Sequence, residues 1–375
     1  MFRPQIQKTR VLFLIAVFNL SLVYISATSK EYIKKDGLNE KLKSTTIMSA
    51  CYDALLDIYP VSTDDMYDTG LVGIESSDIT TIFDTDIKSM KKSKIACTHP
   101  NFAAFIVEKF QEIQLEEGDK VAISMTGSLP GANLAVISAC QAMNLEPVII
   151  SSLGSSAWGA NRNDMSWLDI ESQLFINEKI NYRSVAASIG GENDLGDNLS
   201  DRGIEIIEEV IAENDVEFVN KASLKENINR KIEIFKNNNQ EFDYKAYVNI
   251  GGGAASIGYG DGKDSLKAGI IYPIEKNIIK YDGFSNSIAK YFLDKGIPFV
   301  NIKNINLLSK SVGLYPPDKS IEKDQGLLFY SVVDYNLFVI IIAIILSVFS
   351  IGGVGVYSHY EIKKRMREYD PDSIV

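Results

Sequence analysis

The alternation of apolar and polar positions is organised around one stretch, Val121 to Ser156 (VAISMTGSLPGANLAVISACQAMNLEPVIISSLGSS). Val121–Ser124 is a short apolar run with β-branched residues and reads as a strand. Thr126-Gly127-Ser128 is small and polar, so the chain can turn sharply there. Pro130 falls in the first turn of a helix, where its missing N–H removes no hydrogen bond. That helix runs to about Met143, Asn144 is a stop signal, and Pro147–Ser151 is the next strand. Strand, tight loop, helix and strand make a βαβ unit, which is built as a parallel, right-handed crossover. Ala132, Ala135, Ala139 and Ala142 form a stripe of minimal side chains that lets the helix lie close to a sheet. Leu134, Val136, Ile137 and Cys140 cover much of the rest, so the helix should be buried nearly all round, in the middle of the sheet.

The same reading continues on both sides. Gly37–Tyr59 has helical periodicity, with Leu42, Ile47, Cys51, Leu55 and Ile58 near one face. Phe102–Ile113, Trp167–Ile176, Gly203–Asn214, Leu224–Asn238, Ser285–Lys295 and Ile305–Val312 read as further helices. Val185–Ser188, Val216–Val219, Tyr244–Ile250 and Ile297–Ile302 read as strands. Strands and helices alternate from about Val121 to Ile302, the pattern of a mostly parallel, doubly wound α/β sheet. We therefore divide the chain into an N-terminal segment 1–28, a helical cap or N-terminal part of the ectodomain at 29–118, an α/β domain at 119–325, an apolar helix at 335–357 and a tail at 358–375.

Two apolar runs flank this body. Val11–Ile25 follows Arg3, Lys8 and Arg10, and Ser26, Ala27 and Ser29 supply small residues. It reads as a signal anchor or as a cleaved signal peptide. Tyr335–Tyr357 carries no charge and is long enough to span a bilayer, which takes about 20 residues. Lys363, Lys364, Arg365 and Arg367 follow it. Basic flanks at opposite ends of the chain predict both termini on the cytoplasmic side of the cell membrane and the α/β domain outside.

The net charge is −11. Residues 1–26 contribute only basic groups, and charges balance after Tyr335, so the acidic excess lies in the body between. An acidic body argues against nucleic acid as a partner. Cys51, Cys97 and Cys140 have no metal-ligand spacing, although Cys51 and Cys97 could pair in an oxidising space. Only His99 and His359 are present, which excludes a multi-histidine metal centre. Glu192, Asp194 and Asp197 are close enough in sequence to hold a hard cation, but they match no known loop pattern and read as an acidic turn.

Loops that leave one end of a parallel sheet converge on a ligand crevice. Three qualify. The first offers Thr126, Gly127, Ser128, Gly131 and Asn133 at a helix start. The second offers Ser155, Ser156 and Arg162. The third offers Gly251, Gly252 and Gly253 after a strand. Hydroxyls, backbone N–H groups and one guanidinium suit a carboxylate. The alternative is that Ser128 only caps the helix and the glycines only turn the chain. Neither the dinucleotide fingerprint nor the P-loop ending is present, so no nucleotide cofactor is expected.

The segments MTGSLPGANLAVISACQAMNLEPVIISSLGSSAWGAN, WLDIE, IGGENDLG and VNIGGGAASIG resemble the poly-γ-glutamate system protein family, bacterial membrane proteins found with the machinery that makes and exports that polymer. The resemblance covers most of the chain and implies a pathway rather than a reaction. It implies a poly-γ-glutamate ligase, membrane export subunits, the lipid bilayer and the polymer itself as partners. The expected role is an accessory or assembly subunit whose domain binds a carboxylate-bearing ligand. The alternatives are an ectoenzyme with Ser124, Thr126 or Ser128 as nucleophile and Glu192 or Asp194 as base, and a tethered binding protein for a small carboxylate.

Overall fold

The computed structural model describes residues 9–59, 71–82, 87–191, 193–260, 266–277, 279, 282–319 and 321–368. They form two compact units, one made of both chain ends and one spanning Lys35–Phe329.

The unit of chain ends holds two long helices, Thr9–Thr28 and Leu337–Glu368. Their segments Arg10–Thr28 and Leu337–Lys364 are long and apolar enough to cross a membrane. Lys30–Lys34 pairs antiparallel with Tyr330–Tyr335. Tyr335 thus ends a strand rather than opening the apolar helix. This ribbon was not expected, because its strands lie at opposite ends of the chain and neither carries a turn signal toward the other. Asn19 links the helices: its side-chain amide donates to the Ser350 hydroxyl at 3.4 Å, and its carbonyl accepts from Ser347.

The larger unit is built on a seven-stranded sheet. In chain order its elements are α1 (Leu38–Ile58), β1 (Thr80–Ile82), α2 (Ile87–Thr98), α3 (Asn101–Glu112), β2 (Lys120–Thr126), α4 (Pro130–Ala142) and β3 (Glu146–Ser152). There follow β4 (Ser155–Ser156), α5 (Trp167–Ile176), β5 (Ser184–Ser188), α6 (Asp201–Glu213), β6 (Glu217–Phe218) and α7 (Leu224–Asn238). The last are β7 (Ala246–Ile250), α8 (Ala254–Ile257), β8 (Gly269–Ile271), α9 (Ile288–Asp294), β9 (Phe299–Ile302) and α10 (Ile305–Ser311). The strand order is β8-β9-β7-β2-β3-β5-β6, parallel except for β8 at one edge. The chain winds outward from β2 through β3, β5 and β6, then returns to the other side of β2 for β7 and β9. The switch point therefore lies between β2 and β7, whose residues 121–124 and 246–249 are in register.

Side-chain alternation along the strands feeds two cores. Ala122, Ile150, Ala186, Tyr247 and Phe299 join α7 and α9 residues such as Phe235 and Phe292. The Tyr247 and Phe292 rings stack at 4.8 Å. Helix α4 packs on β2 and is covered by α1, α2 and α3. All its residues except Gln141 are buried, as its apolar composition requires. The helices before Gly118 are therefore part of the same body. In α1 the buried face is Lys41, Ser44, Thr45, Met48, Cys51, Tyr52 and Leu55. It is rotated from the face expected, and Ile58 is exposed. Buried Lys41 explains the shift: its ammonium donates to the Leu328 carbonyl and reaches Glu108 at 3.0 Å.

Candidate functional site

At the switch point the strand ends border a cleft of about 310 Å³. Its wall includes Thr126 and Ser128 at the end of β2, Ser152 and Gly154 at the end of β3, and Gly190, Gly191 and Asp194 after β5. Gly252 and Gly253 line it after β7, and Lys303 after β9. All three expected strand-end loops thus border it, and Thr126, Ser128, Gly252 and Gly253 share one cavity.

The loop after β2 is mostly closed by internal bonds. The Gly127 carbonyl accepts from the Ala160 N–H at 2.7 Å and from the Ser155 hydroxyl at 3.0 Å. The Asn133 side chain donates to the Thr126 carbonyl at 2.7 Å, and both Asn133 and Ser155 are fully buried. A Cβ at Gly127 would stand 2.4 Å from the Leu153 carbonyl oxygen, and one at Gly131 would stand 2.9 Å from that of Cys97. Those glycines serve close packing. Ser128 does not cap α4. Its hydroxyl accepts from the Ser156 N–H at 2.9 Å, and the N-cap position is Leu129. What remains for the cleft are the hydroxyl protons of Thr126 and Ser128, since both oxygens accept from backbone N–H groups.

The second loop reaches the cleft through Ser152 and Gly154, not through the expected Ser155, Ser156 and Arg162. Ser155 and Ser156 pair as β4 with β1, a strand the sequence did not signal. Asn161 ties the loop to residue 74, accepting from the Ile74 N–H at 2.9 Å and donating to its carbonyl at 2.7 Å. Arg162 is exposed and pairs with Asp164 at 3.4 Å, so its charge is outside the cleft lining. The expectation of one guanidinium in the site is corrected: the cation in the wall is Lys303.

The loop after β7 is different. Gly251 adopts φ 88°, and a Cβ there would meet the Thr126 side chain at 2.7 Å. Gly252 and Gly253 need neither a left-handed backbone nor space inside the chain: no atom lies within 4 Å of a Cβ at Gly252, and one Ser256 oxygen lies 3.8 Å from one at Gly253. Their amides carry no hydrogen bond among the described residues. Glycine kept where the protein itself does not need it marks an approach of something else to the backbone.

The β5 side of the wall is held by a buried ion pair. Lys231 reaches Asp194 at 2.7 Å and donates to the Ser188 hydroxyl at 2.8 Å, while Ser188 donates to Asp194 at 2.7 Å. Asn227 fixes the Asp194 carbonyl at 2.8 Å. Asp194 is thereby neutralised rather than left to bind a metal. Glu192 lies outside the described residues, and Asp197 accepts from Asn193. No group of three metal-ligating side chains occurs among the described residues.

The sequence reading missed α2, whose segment IKSMKKSKIACT is strongly basic. It brings Lys94 behind the cleft wall. Lys94 is 5% exposed and donates to the Ser128 carbonyl and, at 2.7 Å, to the Ser156 hydroxyl. Burial pulls its pKa down to about 8. The three cysteines are free and buried. Burial raises the Cys51 and Cys97 thiols to about 12, which keeps them protonated and unreactive. His99 accepts from the Asn101 N–H at 3.1 Å and is not among the cleft residues, so it makes no triad with Ser128.

The arrangement can hold an anion by hydroxyls, open amides and a lysine. Among the described residues it offers no nucleophile with an aligned base. Ser124 receives the Tyr247 hydroxyl at 2.9 Å, and among the described residues no hydrogen-bond partner of Thr126 or Ser128 is a carboxylate or an imidazole. No family model, curated protein or solved structure matches the chain.

Proposed function

We propose that the chain is a membrane-anchored accessory subunit of a poly-γ-glutamate synthesis and export system, and that its α/β domain binds a carboxylate-bearing ligand at the β2/β7 switch point. The observation that carries the binding reading is the pair Gly252–Gly253, whose open amides and unfilled space face a cleft with Lys303 and two available hydroxyls. Backbone amides and a lysine satisfy a carboxylate without a second buried charge. The pathway rests on the resemblance of the central segments. Placement outside the cytoplasm rests on the basic residues at both chain ends and on two helices long enough to span.

The ectoenzyme reading is the weaker one, because among the described residues the cleft hydroxyls have no base beside them. Two measurements test the proposal. Full-length protein in mild detergent, titrated with a short γ-linked glutamate oligomer, should bind it and leave it intact. A chain shortened by the wild-type protein would favour the ectoenzyme, and absence of binding would remove the ligand. Affinity isolation from native membranes should recover a γ-glutamyl ligase or export subunit, and repeated failure to recover either would remove the pathway.

A further inference from the structure

Resting on the binding reading above, we propose that Lys94 is the buried counter-charge of the cleft, so that an anion seated against Ser128 is bound together with a proton held on Lys94. The ammonium sits behind the wall, not in it. It is fixed to the Ser128 carbonyl and to the Ser156 hydroxyl at 2.7 Å, and Ser128 is a wall residue.

Among the described residues no carboxylate is a hydrogen-bond or ion-pair partner of Lys94. On its own helix, Cys97 is the one titratable group with an electrostatic influence on it, and Lys91 lies over the Trp158 ring at 4.7 Å. The packed helix α4 carries only Cys140 as a titratable group, and on the packed helix α3 Glu108 is engaged by Lys35 and Lys41 and Glu112 by Lys109. From α10, Lys310 lies over Tyr315 at 5.2 Å. Asp194, in the wall, is engaged by Lys231. A lone buried ammonium is costly, and a carboxylate is the group that offsets it. Here the neighbouring space able to supply one is the cleft.

Burial has already pulled Lys94 down to about 8. An anion nearby favours the charged form and raises that value. The sign follows by linkage. Below pH 8 the free protein already holds the proton, so binding is at full strength. Above pH 8 the proton must be taken up on binding, and affinity falls about tenfold between pH 7 and pH 9.

The test uses full-length protein in detergent and glutarate as the probe, since its two carboxylates do not titrate in this range. Calorimetry at pH 7 and pH 9, the latter in two buffers of different ionisation enthalpy, should show the tenfold fall and uptake of nearly one proton at pH 9. Lys94→Met should bind more weakly at pH 7 and lose both effects. Lys303→Met should bind more weakly yet keep the same pH ratio, which serves as the test should Lys94→Met fail to fold. Equal affinity at both pH values without proton uptake overturns the role of Lys94 and leaves the cleft intact. A fall that disappears in Lys303→Met overturns it too. No glutarate binding at either pH overturns the binding reading and this proposal with it.

Discussion

Two glycine-containing loops leave adjacent parallel strands at the same end of the sheet, and they do opposite things. After β2, Gly127 and Gly131 are glycine because backbone oxygens of Leu153 and Cys97 stand where a Cβ would go. The carbonyls of Thr126, Gly127 and Ser128 all accept hydrogen bonds from the chain itself. After β7, Gly252 and Gly253 stand in open space with unused amides. A glycine-rich loop at a strand end is thus not one kind of feature. The first is a packing device that shapes the wall, and the second is open wall, the part that the proposed ligand would meet.

The comparison can be broken or sharpened by substitution. The largest effect is expected at the ion pair that fixes the β5 side. Lys231→Met leaves Asp194 buried without its cation and should cost about 3–5 kcal/mol in chemical denaturation. Next is Gly127→Ala, which forces a methyl against a carbonyl oxygen and should cost about 3 kcal/mol. Gly252→Ala should leave the unfolding midpoint unchanged. If Gly127→Ala and Gly252→Ala destabilise equally, the distinction between the loops fails.

A smaller, pH-dependent effect belongs to the closed side. Glu171 is fully buried, accepts from the Ser184 N–H at 2.8 Å and the Ser184 hydroxyl at 2.9 Å, and burial raises its pKa to about 7. The folded state holds this proton above the usual carboxylate value, so its contribution to stability is complete at acid pH. It is lost as pH rises from about 4.5 to 7, by on the order of 1 kcal/mol per pH unit. Glu171→Gln keeps a donor toward Ser184 and should flatten that slope in thermal melts run across the range. A slope unchanged in the variant would place the titration elsewhere.

The sequence reading reached the β2-α4-β3 unit, the parallel sheet and most later helices because their periodicity is strong and their partners are near in sequence. It did not reach the Lys30–Lys34 ribbon or the β1–β4 pair, whose strands are joined by long-range contacts with no local signal. It missed α2 because the buried residues of that helix are Lys94, Ala96, Cys97 and Thr98, which read as solvated or neutral in a pattern. For the site, strand-end position was legible, and it correctly brought Thr126, Ser128, Gly252 and Gly253 together. Accessibility was not. Ser155, Asn133 and Gly131 are indistinguishable in sequence from ligand residues, yet each is bonded or packed against the chain itself. Arg162 was misjudged for a related reason: a polar loop was assumed to lean inward, and Asn161 pins it to residues 74–80 instead.

The central claim is that the space over Gly252 belongs to an anionic ligand. The most direct measurement is a paired one on full-length Gly252→Val protein in detergent: the unfolding midpoint and the affinity for a γ-linked glutamate oligomer. The account predicts a midpoint within error of wild type, because no atom of the described residues lies within 4 Å of the added Cβ, and an affinity weaker by at least about tenfold, roughly 1.4 kcal/mol. An unchanged midpoint with unchanged affinity would contradict it.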